Sequence, residues 1–205
     1  MGGYRRAGSR IGIVLAAGEG RRMGRPKAVL EVHGTPLVTL AVRTALEGGC
    51  EHVLVVLGAS VEKARHHAEA AGGQVVVNRR WAEGMGGSLD VGLSTAASTA
   101  PDASAALVLL VDQPYITSAA VAAVLSAQRD PEDTAILAAA SYDGRRGHPV
   151  LIGSDHWSRL RATLAGDQGA RVFLHEHRSE VLLVPCDGIA APCDLDVPAD
   201  LPGAP

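Results

Sequence analysis

Short apolar runs alternate along the chain with segments whose apolar residues recur at helical spacing. Several runs are apolar throughout rather than at every second position, which is typical of strands covered on both faces. The runs that predict strands are 11–16, 53–57, 74–77, 106–111, 135–140, 149–152 and 181–184. The segments that predict helices are 36–48, 60–71, 86–97, 117–128, 155–163 and 169–177.

This alternation predicts the fold class. Strands separated by helices are joined by right-handed crossovers, which give a mostly parallel sheet with helices on both faces. Pro36 is expected at the first helical position, with Gly48 and Gly49 ending that helix. No repeat or linker interrupts the pattern. We therefore expect a single α/β domain.

The composition narrows the class of protein. Of the 205 residues, 47% are hydrophobic but only 3% are aromatic, so the core must consist of small aliphatic side chains. The net charge of −3 argues against a general binder of nucleic acid or of membrane surfaces. The cysteines lack metal-type spacing and indicate reduced thiols in a cytoplasmic protein. They are Cys50, Cys186 and Cys193.

The N-terminal segment carries three arginines before the apolar run 11–17. This order is similar to the start of a signal peptide, but the run is short and no small-residue cleavage site follows, so a buried strand is the better interpretation. No stretch approaches the roughly 18 apolar residues of a membrane span. We expect residues 1–9 to be a disordered leader and residues 10–205 to form the domain.

Candidate chemistry follows the predicted strands, because ligands of parallel sheets bind at the carboxyl ends of the strands. After the first strand, Gly18 and Gly20 let the backbone turn and present N–H groups. Cations that suit phosphate oxygens come next: Arg21, Arg22, Arg25 and Lys27. The segment is either a phosphate-binding loop or a solvated basic loop.

Neither common phosphate-loop template fits this segment. A dinucleotide loop reads G-x-G-x-x-G and runs into a helix, but here Gly24 comes one residue late and Pro26 follows. The second strand is followed by Gly58 rather than by an acidic residue. A G-x-x-x-x-G-K-S/T loop also fails, because Gly24 is not followed by Lys and Ser or Thr.

Carboxylates follow two other parts of the pattern. Asp112 comes directly after the strongest apolar run and is either a metal-binding or catalytic carboxylate or a cap for the turn at Pro114. A bound polyphosphate usually carries Mg²⁺, which needs one or two carboxylates. Asp194 or Asp196 supplies the second carboxylate, or else the two belong to a polar surface turn.

A polar cluster follows the third strand, and it suits either recognition of a base or ribose or an ordinary strand-to-helix loop. Its members are Asn78, Trp81, Gly84, Met85 and Ser88. The histidines at 148, 175 and 177 are interpreted as surface or core residues in preference to metal ligands.

A family resemblance combines these segments. Residues 15–27, LAAGEGRRMGRPK, are similar to the nucleotidyltransferase signature L-A-A-G-x-G/S-x-R-M-G-x-P-K of the MobA-like nucleoside-triphosphate (NTP) transferases. Further stretches resemble the molybdenum cofactor cytidylyltransferase (MocA-like) branch: NRRWAEGMGGSLDVGL from 78, VDQP from 111, GHPVL from 147, LAGDQGAR from 164 and DLDVPADL from 194. The resemblance covers nearly the whole chain and implies a Rossmann-like nucleotidyltransferase fold.

The resemblance also implies roles for particular residues. Arg22 should bind the β- and γ-phosphates and Lys27 the α-phosphate, and with Asp112 these are the implied catalytic residues. Asp112 and Asp196 are implied to bind Mg²⁺, with Mn²⁺ as an alternative, although Val197 and Ala199 depart from the family pattern D-x-D-T-P-E-D. The implied nucleotide-binding residues are Leu15, Ala16, Ala17, Gly18, Gly20, Arg22, Lys27, Asn78, Gly84, Ser88 and Asp112.

The implied reaction is transfer of a nucleoside monophosphate from an NTP to a phosphorylated small molecule, with release of pyrophosphate. Molybdopterin is the implied acceptor, and a transient contact with a molybdoenzyme maturation partner is implied as well, without nucleic acid or membrane. CTP is expected over GTP, because guanylyl-transferring relatives read L-A-G-G and D-M-P where this chain has Ala17 and Gln113.

Three alternatives stay open at this point. One is an oxidoreductase that binds NAD(P)H with the Gly-rich loop, and another is a guanylyl or sugar-phosphate nucleotidyltransferase. The third is a non-catalytic relative that binds a nucleotide, which the intact Arg22, Lys27 and Asp112 disfavour.

Overall fold

The computed structural model describes residues 8–59 and 61–201. Within them the chain forms nine strands and six α-helices. The strands are β1 Ser9–Ala16, β2 Glu31–Val32, β3 Thr35–Pro36, β4 His52–Leu57, β5 Gln74–Val77, β6 Ala103–Leu110, β7 Leu137–Tyr142, β8 Arg145–Gly153 and β9 Leu182–Pro185. The helices are α1 Leu37–Glu47, α2 Val61–Ala70, α3 Met85–Thr99, α4 Ser118–Leu125, α5 Ser154–Thr163 and α6 Arg171–Glu176.

Seven strands form one sheet in the order β5-β4-β1-β6-β8-β7-β9. β1 pairs in parallel with β4 and β6, β4 with β5, and β7 with β9. β8 runs antiparallel to both of its neighbours. The short strands β2 and β3 pair with each other just before α1. The predicted α/β fold with a mostly parallel sheet is confirmed.

The antiparallel strand comes from a hairpin that the sequence analysis did not predict. β7 and β8 are joined by Asp143 and Gly144, whose φ angles are 50° and 72°. Positive φ at both central positions is what a tight two-residue hairpin turn requires, and Asp-Gly is its common sequence. The hairpin places the beginning of β8 beside the carboxyl end of β6.

The predicted start of the first helix was wrong by one residue. Pro36 is the last residue of β3 and precedes the helix, so α1 begins at Leu37. Pairing with Glu31 across the β2–β3 ribbon accounts for the extended backbone at Pro36. Gly49, with φ 109°, follows the helix as a stop that favours glycine.

The core lies in two layers, one on each face of the sheet. Ile13 and Leu15 of β1 pack on the face covered by α3, α5 and α6, whereas Val14 and Ala16 pack on the face covered by α1, α2 and α4. This division follows from the alternation of side chains along a strand. It also decides which residues at the end of β1 can face a ligand.

The predicted leader, residues 1–9, falls largely on residues 1–7, which lie outside the described part. Ser9 is the first residue of β1, one position before the predicted start of the domain. Ser104 Oγ donates to the carbonyl oxygen of Gly8 at 3.0 Å. In residues 8–59 and 61–201, none of the helices has the length and apolar character needed to cross a membrane.

Candidate active site

A cavity of about 360 Å³, the first cavity, opens at the carboxyl ends of β1 and β6. This is the edge at which parallel α/β sheets bind ligands. Its walls come from β1 and the following loop, the end of β6 and the segment that leads into α3. The lining residues are Leu15, Ala17, Gly18, Glu19, Gly20, Arg21, Lys27, Trp81, Ala82, Gly84, Met85, Ser88, Leu110, Val111, Asp112 and Asp167.

The loop after β1 owes its shape to glycine. Gly20 has φ 67°, and a Cβ atom there would lie 2.2 Å from the carbonyl oxygen of Arg25, so the loop folds back onto itself only with glycine at this position. A Cβ at Gly18 would meet nothing within 4 Å, which leaves that side of the loop open to a ligand. Two single-turn 3₁₀ helices follow, and the second begins with Lys27.

Four charged side chains meet beside the first cavity, and we call Arg22, Lys27, Asp112 and Asp196 the ion-pair cluster. Lys27 Nζ donates to Asp112 Oδ2 at 2.7 Å and to Asp196 Oδ1 at 2.6 Å. Arg22 Nη2 donates to Asp196 Oδ2 at 2.9 Å. The fold therefore brings together the three predicted catalytic residues and the second predicted metal residue.

Backbone hydrogen bonds fix the segment that carries Asp196. The Leu195 N–H donates to the carbonyl oxygen of Asp112 at 2.9 Å. Asp200 Oδ2 accepts from the N–H groups of Asp196 at 2.8 Å and Val197 at 2.9 Å, and these bonds lower the pKa of Asp200. Although Val197 departs from the family pattern, Asp196 therefore still reaches the cluster.

The electrostatics of the cluster favour its charged form. Burial lowers the pKa of Lys27, but the hydrogen bonds to Asp112 and Asp196 outweigh it, so the pKa is raised overall. The hydrogen bond from Lys27 is the main reason why the pKa of Asp196 is lowered, and the charge of Arg22 adds to the effect. Lys27 and Asp196 are thus both ionised at neutral pH.

Most of the predicted nucleotide-binding residues line the first cavity: Leu15, Ala17, Gly18, Gly20, Lys27, Gly84, Ser88 and Asp112. Ala16 does not, because its side chain lies on the opposite face of β1 and is only 1% exposed in the core. The prediction that Ala16 lines the nucleotide is therefore limited to its backbone.

Asn78 and Arg22 also lie outside the lining. Asn78 is buried behind Ser88, where its Nδ2 donates to Ser88 Oγ at 3.1 Å and its Oδ1 accepts from the Arg80 N–H at 2.9 Å. It therefore positions Ser88 and the turn before α3. The Arg22 side chain is 70% exposed and reaches the site through its ion pair with Asp196.

The start of α3 approaches the segment 166–169 closely. Gly84 has φ 112°, and a Cβ atom there would lie 2.4 Å from the carbonyl carbon of Gly166. The Met85 N–H donates to Asp167 Oδ1 at 3.4 Å across the same junction. Glycine at position 84 thus allows the two segments to meet, and Asp167 lies between two cavities.

The second cavity, of about 350 Å³, adjoins the first. It is built from the start of β8, the segment 167–174 and the residues that precede Asp196. The residues that line both cavities are Leu15, Met85, Leu110 and Asp167. Those that line the second alone are Leu89, Val108, Gln113, Arg146, Gly147, His148, Val150, Ile152, Gln168, Gly169, Ala170, Arg171, Leu174, Pro192 and Asp194.

Sequence reasoning missed roles for Arg146, Arg171 and Asp167. It looked for chemistry in residues that follow strands, which suits parallel strands only. Because β8 is antiparallel, its first residues lie at the edge where the other strands end. The Asp-Gly turn before Arg145 was the signal that could have revealed this.

Comparison with known proteins agrees with this fold. A protein from Mycobacterium sp. strain JC1, a homologue of Rv0371c of Mycobacterium tuberculosis, has a structure that superposes with a TM-score of 0.79 at 28% identity, covering 95% of this chain and 94% of that one. The structure of Rv0371c of M. tuberculosis H37Rv, solved in complex with manganese, superposes with a TM-score of 0.76 at 26% identity, covering 94% of this chain and 95% of that one. A Methanothermobacter nucleotidyl transferase shares the fold, with a TM-score of 0.75 at 20% identity, covering 94% of each chain.

Three curated relatives are similar in sequence. Nicotine blue oxidoreductase of Paenarthrobacter nicotinovorans is 39% identical over 190 residues, which are 90% of this chain and 91% of that protein. The purine catabolism protein PucB of Bacillus subtilis is 32% identical and covers 80% of both chains. A probable molybdenum cofactor guanylyltransferase of Opitutus terrae is 35% identical over 55% of this chain and 52% of its own.

The sheet and its neighbours define a nucleotidyltransferase-type α/β protein. Residues 12–188 match the model of the MobA-like NTP transferase domain. The chain belongs to this family. Membership of this family supports a nucleotidyltransferase function.

Proposed function

We propose that this protein transfers CMP from CTP to a phosphorylated small molecule, with molybdopterin as the acceptor, and releases pyrophosphate. The observation that carries the proposal is the ion-pair cluster, in which Lys27 lies between Asp112 and Asp196 at the mouth of a cavity beside the Gly-rich loop. Two cations suit a triphosphate, and two carboxylates suit the metal that accompanies it.

Several residues in and beside the first cavity have a proposed part in binding the nucleotide. Lys27 binds the α-phosphate and Arg22 the β- and γ-phosphates, each leaving its carboxylate partner to do so. The open side of the loop at Gly18 receives the phosphates, and Leu15, Ala17, Gly84 and Ser88 surround the nucleoside. Asn78 acts behind Ser88, by holding its hydroxyl group in place.

The two carboxylates of the cluster fit a divalent cation. Asp112 and Asp196 both bind one ammonium group, so their oxygens already converge on a single point of positive charge. In the described residues no group of three or more His, Cys, Asp or Glu side chains could hold a metal unaided. That suits Mg²⁺, or Mn²⁺ in its place, which takes one or two carboxylates and completes its shell with phosphates and water. Bound there, the ion neutralises phosphate charge.

The proposed reaction is an in-line displacement at the α-phosphorus. An oxygen of the acceptor's terminal phosphate forms the new P–O bond, and the bond to pyrophosphate breaks. Lys27 stabilises the charge that develops on the α-phosphoryl oxygens, and Arg22 that on the leaving pyrophosphate. A phosphate nucleophile is already ionised at neutral pH, so the site needs no general base.

The experiment that tests this function is a screen for pyrophosphate release. Purified protein with Mg²⁺ is incubated with each of the four NTPs, against molybdopterin and against a panel of sugar phosphates. We expect release with CTP and molybdopterin, and loss of that activity in Lys27→Ala. Release with sugar phosphates alone, or with no acceptor at all, would contradict the acceptor assignment.

A second candidate function is that of an oxidoreductase, and one observation favours it. The relative with 39% identity over most of both chains is named nicotine blue oxidoreductase. Against it stands the loop after β1, which leads into two single-turn 3₁₀ helices where a dinucleotide fold has a full helix for the pyrophosphate. Titration with NADPH and with CTP–Mg²⁺ separates the two functions, and we expect binding of CTP–Mg²⁺ only.

Three further proposals carry over from the sequence. They are a cytoplasmic location, a domain that spans residues 10–205, and a transient contact with a molybdoenzyme maturation partner. Cell fractionation, limited proteolysis and copurification with a tagged chain test them in turn.

A further inference from the structure

Two arginines line the second cavity without a carboxylate partner. Arg146 lies near the start of β8 and Arg171 begins α6. In residues 8–59 and 61–201, neither side chain makes an ion pair or a hydrogen bond, whereas Lys27 of the first cavity and the adjacent Arg22 are both paired. Two guanidinium groups on the wall of one cavity leave positive charge facing its interior.

The surroundings make this charge unfavourable without a ligand. Arg146 is partly buried, and burial followed by the positive charge of Arg171 lowers its pKa. Both side chains line the same cavity, and their like charges repel each other there. A group that accepts hydrogen bonds from both and carries negative charge would remove that repulsion.

The two carboxylates on the same wall form no ion pair with either arginine in the described residues, and the hydrogen bonds that they accept come from neutral groups. Asp194 Oδ1 accepts from Gln113 Nε2 at 2.7 Å, and Asp167 Oδ1 accepts from the Met85 N–H at 3.4 Å. The other side-chain atom of Gln113, Oε1, is buried and lacks a hydrogen-bond partner.

The rest of the wall is aliphatic. Leu89, Val108, Val150 and Leu174 line the cavity beside the polar groups. A volume of about 350 Å³ suits a small organic molecule rather than a free inorganic ion. The wall thus fits a ligand with an apolar body and one anionic end.

We propose that the second cavity binds a phosphate monoester with an apolar ring body, and that Arg146 and Arg171 hold its phosphate group. This inference deepens the proposed function, since the molecule in this cavity would be the acceptor of the nucleotidyl group. The four residues shared by the two cavities make the two ligands neighbours. Arg146 and Arg171 therefore determine which acceptors the protein accepts.

The test measures binding without nucleotide or turnover, so that it does not depend on the proposed reaction. 1-Naphthyl phosphate and its neutral counterpart 1-naphthol are titrated into the full chain by calorimetry. The variants are Arg146→Gln and Arg171→Gln, and the latter side chain is exposed enough to keep the fold intact if the former does not. Arg145→Gln is the matched control, because it removes the same charge one residue earlier from a side chain that does not line the cavity.

We expect 1-naphthyl phosphate to bind more tightly than 1-naphthol, and each of the two variants to weaken its binding by about tenfold or more, as loss of a charge-assisted hydrogen bond does. Arg145→Gln should have no effect on either probe. Lys27→Ala should also leave the binding unchanged, which separates this cavity from the first. Equal binding of the two probes, or a loss in Arg145→Gln or Lys27→Ala as large as in Arg146→Gln, would overturn the proposal, whether or not the protein transfers nucleotides.

Discussion

The two cavities share lining residues but differ in whether their cationic side chains are paired with carboxylates. In the first, Arg22 and Lys27 are paired with Asp112 and Asp196. In the second, the two arginines have no ion-pair partner within the described parts of the chain. If the first cavity binds a triphosphate as proposed, the ion pairs must break and the released carboxylates would need a new cation. Binding of nucleotide and of metal would then be coupled, whereas the second cavity would take an anion without such an exchange.

The largest effect is expected from removing a charged side chain of the ion-pair cluster at the first cavity. Lys27→Ala should lower turnover by about 10²-fold or more, because it removes the cation proposed to stabilise the α-phosphoryl oxygens. Asp112→Ala should have an effect of the same order. Both variants should stay folded, since loops at strand ends carry little of the core. Steady-state pyrophosphate release and thermal unfolding measure the two effects.

Arg25→Ala is the control for this prediction. Arg25 lies in the same loop, is exposed, and makes no ion pair among the described residues. Its variant should keep full turnover. Near wild-type rates in Lys27→Ala would remove that residue from the mechanism, and equal losses in Arg25→Ala would show that only the net charge of the loop matters.

A second prediction compares the two carboxylates within the cluster. Asp112→Asn should raise the Mg²⁺ concentration for half-maximal activity by about tenfold or more, and Asp196→Asn by less, because each removes one of the two charged ligands proposed for the metal. The exposure of the side chains, 21% for Asp112 and 34% for Asp196, supports this order. Binding of Mn²⁺ followed by electron paramagnetic resonance gives a readout that is independent of turnover. Full activity in EDTA, or a larger effect at Asp196, would contradict the assignment.

The contrast between the two cavities also explains how much of the fold and of the candidate site could be predicted from the sequence. The loop residues of the first cavity are contiguous in the signature 15–27, and Asp112 directly follows a buried strand, so strand-end reasoning could find both. Reasoning from the residues offered Asp194 or Asp196, and only the family resemblance selected Asp196. That reasoning could not foresee that Lys27 would pair with both carboxylates, because the pairing depends on backbone contacts between residues 112 and 195.

The second cavity was out of reach for a different reason. Its arginines belong to β8 and α6, and they meet only because β8 runs against the other strands. Apolar runs show where strands lie but not their direction, which the Asp143-Gly144 turn decides. Ala16 is a smaller example of what the sequence could not show. The signature contains consecutive residues, but consecutive side chains of a strand point to opposite faces of the sheet, so Ala16 packs in the core.

A third prediction concerns the selection of the nucleotide base, CTP against GTP, in the first cavity. The Ala17 side chain is 6% exposed and lines the cavity, and its carbonyl oxygen accepts from the Ala59 N–H at 3.0 Å, which fixes its position. Ala17→Gly should shift the ratio of kcat/KM for CTP over GTP towards GTP by about tenfold, because one methyl group in a pocket is worth roughly 1–3 kcal/mol. Competition kinetics with the two nucleotides measures the ratio.

Ala16→Gly is the matched control, since it also removes one methyl group but from the core on the opposite face of β1. It should lower the thermal midpoint and leave the nucleotide ratio unchanged. If the unaltered protein uses CTP and GTP with equal kcat/KM, the methyl group of Ala17 does not select the base.

The smallest effect at neutral pH concerns His148 in the second cavity. Burial, and then the charge of Arg146, lowers its pKa to about 4, although Asp194 acts in the opposite direction. The unfolded chain has the ordinary value of about 6.5, so between these values the unfolded state binds more protons and stability falls as the pH falls. The stability lost between the two pKa values should approach about 1 kcal/mol per pH unit at most, and there should be no such loss at higher pH.

The test is the urea concentration at the unfolding midpoint, measured between pH 6.5 and 5. This midpoint should depend less on pH in His148→Gln than in the unaltered protein, whereas His52→Gln, at the exposed start of β4, should not change the dependence. Restricting the range to above pH 5 separates the effect from Asp196 and Asp200, whose pKa values are lowered from 3.8. Their contribution to stability is present above that value and is lost progressively as the pH falls from about 5. An unchanged slope in His148→Gln would show that burial does not lower the pKa of this imidazole in the folded protein.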